Sequence, residues 1–319
     1  MAKPLVRRRL GTVFEATTIE LLDEACRAFP RIQDPQDSEG LHDFRVALRR
    51  LRSLFKDYIG YFPARAPRKL VTDLRDLARS TNTARDAEVM LAWLESQAEG
   101  APAAERGAIA WWKERLSAQV GEEYAVLEGR VASFPLLDNR LRSAVKSLRK
   151  ESSKTPRFGA VSAEVLEHLT EQLGEELSAM RGREDENALH RPRITGKRIR
   201  YLLRPWRKES ELFERTEASM KAFQDAFGDL HDDLVRAEVL RTTVHQHVWE
   251  ETELRLEAAV STSGARAMAP RHLRGFMGLV AQHEQHTENN LQRVMALVKG
   301  PNRQQLDTCL AEAVAYMRG

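Results

Sequence analysis

Apolar positions recur at intervals of three and four residues along almost the whole chain. That is the period of one helix face, not the strict alternation of a half-buried strand. Proline and glycine fall mostly between the periodic runs. The spacing predicts helices over 11–29, 41–59, 66–80, 85–98, 103–132 and 137–151. A polar break, ESSKTPRFGA, covers 151–160, and a second set follows over 161–181, 191–204, 211–227, 232–260, 271–298 and 302–317. Both sets run helix, basic helix, helix, helix, long helix, short last helix. A period this long is no solenoid. It predicts an all-α protein of two helical bundles related by an internal pseudo-two-fold duplication, with halves at 1–155 and 156–319. The 319 residues are enough to bury a substantial core.

The clearest sign of duplication is one phrase. LHDFRVALRRLRSLF at 41–55 returns as LHRPRITGKRIRYLL at 189–203. At about 100° per residue, His42, Arg45, Arg49, Arg52 and Lys56 share one side of a helix. Phe44, Ala47, Leu48, Leu51, Leu54 and Phe55 take the other, as a core stripe. Shifting the basic positions by 148 residues gives His190, Arg193, Lys197, Arg200 and Arg204, and Arg50 maps to Arg198. From His190 to Lys208 there are eight Lys/Arg residues, among them Arg207 and Lys208, and no acid. An ordinary solvated helix face mixes signs, because like charges one turn apart destabilise it. Repeated, uncompensated positive charge points to a polyanionic ligand, against the plainer reading of solvated faces or pairing with acids on neighbouring helices.

Overall charge narrows this picture. Lys and Arg number 50 against 47 Asp and Glu, a net charge of +3, so the basic runs are local sites on a mixed surface. The two cysteines, Cys26 and Cys309, show neither a disulfide framework nor zinc spacing. No secretory apolar region follows the basic start, and no run of eighteen apolar residues occurs. The expectation is a soluble, reduced, cytoplasmic protein that does not engage membranes.

Two local features refine the site. Proline suits the first turn of a helix, so Pro192 predicts that the second basic helix starts near 191–192. His190 would then stand at its mouth, where free N–H groups favour an anion. Downstream of each basic helix a turn is predicted, in LARSTNTARDAEVML (77–91) and FQDAFGDLHDDLVRAEVL (223–240). Asn82 and Gly228, residues that accept helix C-terminal geometry, each precede an aspartate by four: Asp86 and Asp232. These aspartates either cap the next helix or orient a nearby Arg or His.

With HDFRVALRRLR at 42–52, ARDAEV at 84–89, HRPRITGKRIRY at 190–201 and GDLHDD at 228–233, the sequence resembles the CHAD family, the conserved histidine α-helical domain. The likeness spans roughly 5–315, with Asn82 where a glycine is usual. It implies two helical bundles about a pseudo-two-fold with a basic pore or groove between them. It also implies binding of inorganic polyphosphate, often at intracellular polyphosphate granules, whose proteins would be further partners. Carried over by position, His42, Arg45, Arg49, Arg50, Arg52, His190, Arg193, Lys197, Arg198 and Arg200 would line the site. The E-x-E-x-K signature of the triphosphate-hydrolysing domain sometimes fused to family members is absent, so hydrolysis is not carried over.

Arginine suits such a chain of phosphates, because its planar fork holds two oxygens and keeps its charge. Lys56, Lys197 and Lys208 add point charges, and the histidines add charge below neutral pH. Arg68, Arg75 and Arg79 share a face of the third predicted helix, and Arg142, Lys146 and Arg149 do so later. For these, ligand and solvated-face readings stand level. His245 with His247, and His283 with His286, have no third ligand or HExxH spacing, so no metal is assigned. Trp93, Trp111 and Trp112 fit core spacing. No catalytic motif or cofactor loop is present, and the expected activity is binding without catalysis. Two alternatives remain: a nucleic-acid binder, although the stripe lacks stacking aromatics and base-reading Asn or Gln, and an enzyme acting on polyphosphate.

Overall fold

The computed structural model of the chain describes residues 3–34, 36–62, 68–150, 154–180, 182, 186–261 and 271–319. Among these, eleven α-helices account for nearly all of the structure and no strand forms. They are α1 (Leu10–Ala28), α2 (Ser38–Tyr58), α3 (Arg68–Ser80), α4 (Asn82–Ala98), α5 (Ala103–Val131), α6 (Phe134–Lys150), α7 (Phe158–Ala179), α8 (Glu186–Leu203), α9 (Glu211–Ser261), α10 (Leu273–Leu297) and α11 (Pro301–Arg318). Predicted helix positions 66–67, 151 and 181, and the 151–153 part of the polar break, lie outside the described residues.

The apolar stripe read from the sequence is the one that α2 buries. Leu41, Phe44, Leu48, Leu51 and Phe55 have no solvent exposure. The helix is started by Asp37, whose carboxylate accepts from the backbone N–H groups of Glu39 and Gly40 at 3.2 and 3.1 Å. A Cβ at Gly40 would stand 2.7 Å from the Arg31 carbonyl oxygen, so this first turn needs glycine to lie against the preceding turn.

Packing partners repeat along the chain. Helix α1 packs on α2 and α6, as α7 packs on α8 and α11, and α4 lies on α5 as α9 lies on α10. Helix α2 also touches α8, which joins the first half to the second. One apolar core runs through both halves, and a smaller cluster fills the space among α4, α5, α9 and α10. At the seam the Phe158 ring stacks on both Tyr58 (5.5 Å) and Trp206 (5.2 Å), and the Tyr58 and Ser162 hydroxyls lie 2.9 Å apart.

Three local expectations are corrected. The helices predicted over 211–227 and 232–260 are a single helix of 51 residues, α9, so Gly228 ends nothing and Asp232 caps nothing. Interior glycine costs a helix only about 1 kcal/mol, which packing of α9 on α8, α10 and α11 outweighs. Helix α8 starts at Glu186, and Pro192 lies inside it. His190 is therefore within the helix, not at its mouth, and a helix-terminal anion site there is ruled out. Proline inside a helix costs about 3 kcal/mol, and here burial of Leu189 and of Pro192 itself opposes that. In the first half the turn is a single residue, Thr81, so Asp86 lies inside α4 rather than at its cap.

Candidate functional site

Helices α2 and α8 present their basic stripes to each other. Arg49 is the centre of this arrangement. Its charge acts on His42, Arg45 and Arg52 of its own helix and on Arg193 and Lys197 of α8. Burial, with Arg193 and Arg49 close by, pushes the Lys197 ammonium down to about 7. Burial first and Arg49 second push Arg45 down to about 10. Burial also lowers Arg193, which Asp232 opposes and Arg49 reinforces. The Arg193 side chain is only 17% exposed, and its Nε is buried with no hydrogen-bond partner among the described residues. A set of cations held together this tightly is short of negative charge.

Neighbouring elements hold the stripes in place. Arg45 donates from Nη1 to the Thr81 hydroxyl (2.7 Å) and the Asn82 side-chain oxygen (2.9 Å), so the α3–α4 turn fixes it. Arg193 reaches Asp232 on α9 at 3.5 Å, and Gln224 Nε2 donates to the Arg193 carbonyl at 3.1 Å. Asp86 and Asp232 act on Arg45 and Arg193 respectively, and Asp232 adds to a rise in the Asp86 carboxyl that burial begins. Neither aspartate caps a helix: Asp232 orients Arg193 directly, whereas Asp86 acts on Arg45 through its charge alone.

Arg85 and His231 are the residues missing from the predicted site. Arg85 Nη2 donates to His42 Nδ1 at 3.2 Å, and His231 Nδ1 lies 3.3 Å from His190 Nδ1. They occupy matching places in the two halves, each just before its aspartate. That position within ARDAEV and GDLHDD was the available signal. Burial, Arg193 and His190 push His231 down to about 3.

The predicted residues divide into groups. His42, Arg45, Arg49, Arg52, His190, Arg193, Lys197 and Arg200 converge, and Arg79 and Arg75 of α3 extend the patch beside Arg52, with Arg75 also paired to Asp76 at 2.9 Å. Four others have acids from elsewhere in the fold. Arg50 and Arg204 share Glu24 of α1, at 2.9 and 2.5 Å; Arg198 binds the buried Asp57 of α2; Arg207 pairs with Glu217 of α9. The plainer reading therefore holds for these four, whose charge is compensated by acids on α1, α2 and α9. Lys56 lies beside Arg198 and Asp57, and Lys208 is exposed. Among the weaker candidates, Arg142 pairs with Asp23 and Asp138, and Arg149 with Glu15.

Of the other candidate histidines, His247 and His283 are buried, while His245 and His286 are not. His247 Nε2 meets the Arg271 carbonyl at 2.5 Å, His283 Nε2 the Asp233 carbonyl at 2.8 Å, and His286 Nδ1 the Asp233 carboxylate at 3.0 Å. Among the described residues no cluster of three or more His, Cys, Asp or Glu has metal-holding geometry. Trp112 is core, 3% exposed, while Trp111 is covered by the Arg115 guanidinium at 4.2 Å.

Comparison with known proteins agrees with this architecture. A family model described as the CHAD domain matches residues 17–241. Similar solved structures include the crystal structure of the CHAD domain from the plant Ricinus communis. It is 21% identical, with 93% of this chain and 94% of that one covered and a TM-score of 0.69. Another is PptA from Streptomyces chartreusis, 11% identical, with 90% and 98% covered and a TM-score of 0.59. At these identities the likeness is one of fold. No curated protein matches the chain.

Proposed function

The chain belongs to the CHAD domain family, and from that premise we propose that it binds inorganic polyphosphate where α2 meets α8, without turning it over. The observation that carries the reading is the convergence of Arg49, Arg193 and Lys197, with Lys197 held down to about 7 by burial and its cationic neighbours. A polyanion removes that repulsion. Each phosphate brings charge and acceptor oxygens, the arginines hold them as planar forks, and Lys197 regains its proton. Asp232 keeps Arg193 aimed, Thr81 and Asn82 do the same for Arg45, and Arg75 and Arg79 lead the chain onward beside Arg52.

No residue is given a catalytic role in this proposal. Association with polyphosphate granules in the cytoplasm, and contact with their proteins, follows from the same reading. Among the described residues no helix is long and apolar enough to cross a membrane.

The test is the affinity of long-chain polyphosphate measured against salt, for wild type and for Arg49→Glu/Lys197→Glu. Tight, steeply salt-dependent wild-type binding is expected, since counterions leave the site, with a large loss in the double variant. Equal binding by both proteins would sink the reading. DNA and RNA at equal phosphate concentration should compete poorly, and parity would instead indicate a nucleic-acid binder. Phosphate release with Mg²⁺ or Mn²⁺ would point to an enzyme.

A further inference from the structure

The basic residues with acidic partners surround something else. On the side of α2 turned away from Arg45 and Arg52, a cavity of about 650 Å³ lies between α1, α2 and the C-terminal end of α8. Its volume falls in the usual range for small-molecule sites. Arg50 and Arg204 stand in its wall, bridged by Glu24 of α1. Much of the remaining wall is apolar, with Val13, Leu54, Leu202 and Pro205 among its residues.

Charge accounting separates this cavity from the groove. Asp57 is neutralised by Arg198, and Arg207 by Glu217. In the rest of the wall stand Arg8 and Lys208 with Glu20 and Glu214, and Glu20 also lies 3.6 Å from Arg204. Glu24 stays ionised: burial raises its carboxyl, but Arg204 and Arg50 outweigh that and hold it below the usual carboxylate range. The single net positive charge that remains belongs to the wall as a whole, since Arg204 reaches both Glu24 and Glu20. Arg50 Nε and Arg204 Nη1 are, moreover, buried with no hydrogen-bond partner among the described residues. A buried donor left unpaired is unfavourable, so each guanidinium has capacity left for an acceptor.

We propose that this cavity is a second binding site, which takes a small organic monoanion: a carboxylate head on Arg50 and Arg204, and an apolar body along Val13, Leu54 and Leu202. One net charge suits a monocarboxylate, whereas a polyphosphate chain would meet Glu20, Glu24 and Glu214 in and beside the same wall. A slight turn of either guanidinium toward the cavity gives its unpaired N–H to the ligand, and the Glu24 bridge keeps the two forks together. The inference does not rest on polyphosphate binding in the groove.

The experiment is calorimetric titration of the full chain with octanoate, and with 1-octanol as its uncharged counterpart. Saturable one-to-one octanoate binding is expected, with 1-octanol markedly weaker. Arg204→Met should weaken octanoate about tenfold or more, the scale of one charged hydrogen bond. Ala16→Phe, a change at an exposed residue of the wall, should obstruct the cavity without touching the arginines. Circular dichroism confirms that both variants fold. Absence of saturable binding, equal affinity for 1-octanol, or equal affinity in all three proteins would overturn the proposal. Displacement of octanoate by long-chain polyphosphate would do so too, because the cavity would then be an extension of the groove.

Discussion

The Nδ1 atoms of His190 on α8 and His231 on α9 lie 3.3 Å apart. One must carry the proton and the other accept it, so at neutral pH the two rings hold opposite tautomers. Nitrogen NMR of the wild type should show one Nδ1-protonated and one Nε2-protonated ring at these positions. Two identical tautomers would contradict the pairing.

The same pair makes stability depend on pH. Both rings titrate below the usual histidine value, first through burial and then through Arg193, with Lys197 adding to it and His231 pushed down to about 3. The unfolded chain takes up protons near pH 6.5 and the folded one does not, so stability is full above that point and falls as pH drops toward 3. His231→Gln should lose less stability than wild type between pH 7 and pH 5, by about 1 kcal/mol after allowance for solvent screening. Urea unfolding at the two pH values measures it.

Lys197 predicts a proton uptake on binding. The free amine titrates at about 7, and a bound polyanion raises it. Affinity for polyphosphate should therefore increase as pH falls from 9 to 7 and level off below about 7. Calorimetry at pH 8 in buffers of different ionisation enthalpy should register the uptake, and Lys197→Arg should abolish it. Equal heats in all buffers for wild type would refute this.

Asp57 and Arg198 form a buried pair, with side chains 2% and 15% exposed. Asp57→Asn leaves Arg198 without its counter-charge and should destabilise the fold by about 3 kcal/mol. Asp57→Leu/Arg198→Met should recover most of that loss, because the stranded charge is gone. Denaturant midpoints of the three variants test the pattern.

Gly196 lets α8 lie close to α9. A Cβ there would stand 2.4 Å from Gln224 Nε2 and 3.1 Å from the Phe223 ring. Gln224 is buried and holds the Arg193 carbonyl, so it has little room to yield. Gly196→Ala should cost about 1–3 kcal/mol and weaken polyphosphate binding by displacing Arg193. A variant with unchanged melting temperature and affinity would show that the contact is slack.

Both basic faces were legible in the sequence. Helical period places Arg45, Arg49 and Arg52 on one face of α2 and Phe44, Leu48 and Leu51 on the other, and the buried residues agree. The 148-residue offset identified Arg193 and Lys197 as their counterparts. Arg85 and His231 were missed as site residues because their side chains act across helices, on His42 and His190. The path of α9 through Gly228 and the place of Pro192 inside α8 were misread for a related reason: local propensities of 1–3 kcal/mol give way to packing.

Which basic residues find acids on other helices was decided by the tertiary structure alone. The sequence determined the helical class, the repeat and the two basic faces, because these follow from periodicity within about twenty residues of chain. It could not show that Arg198 would find Asp57, 141 residues away, or that Arg204 would find Glu24, 180 residues away, while Arg49, Arg193 and Lys197 converge. Charge compensation acts through space, and only the packing of α1, α2, α8 and α9 fixes which charges share that space.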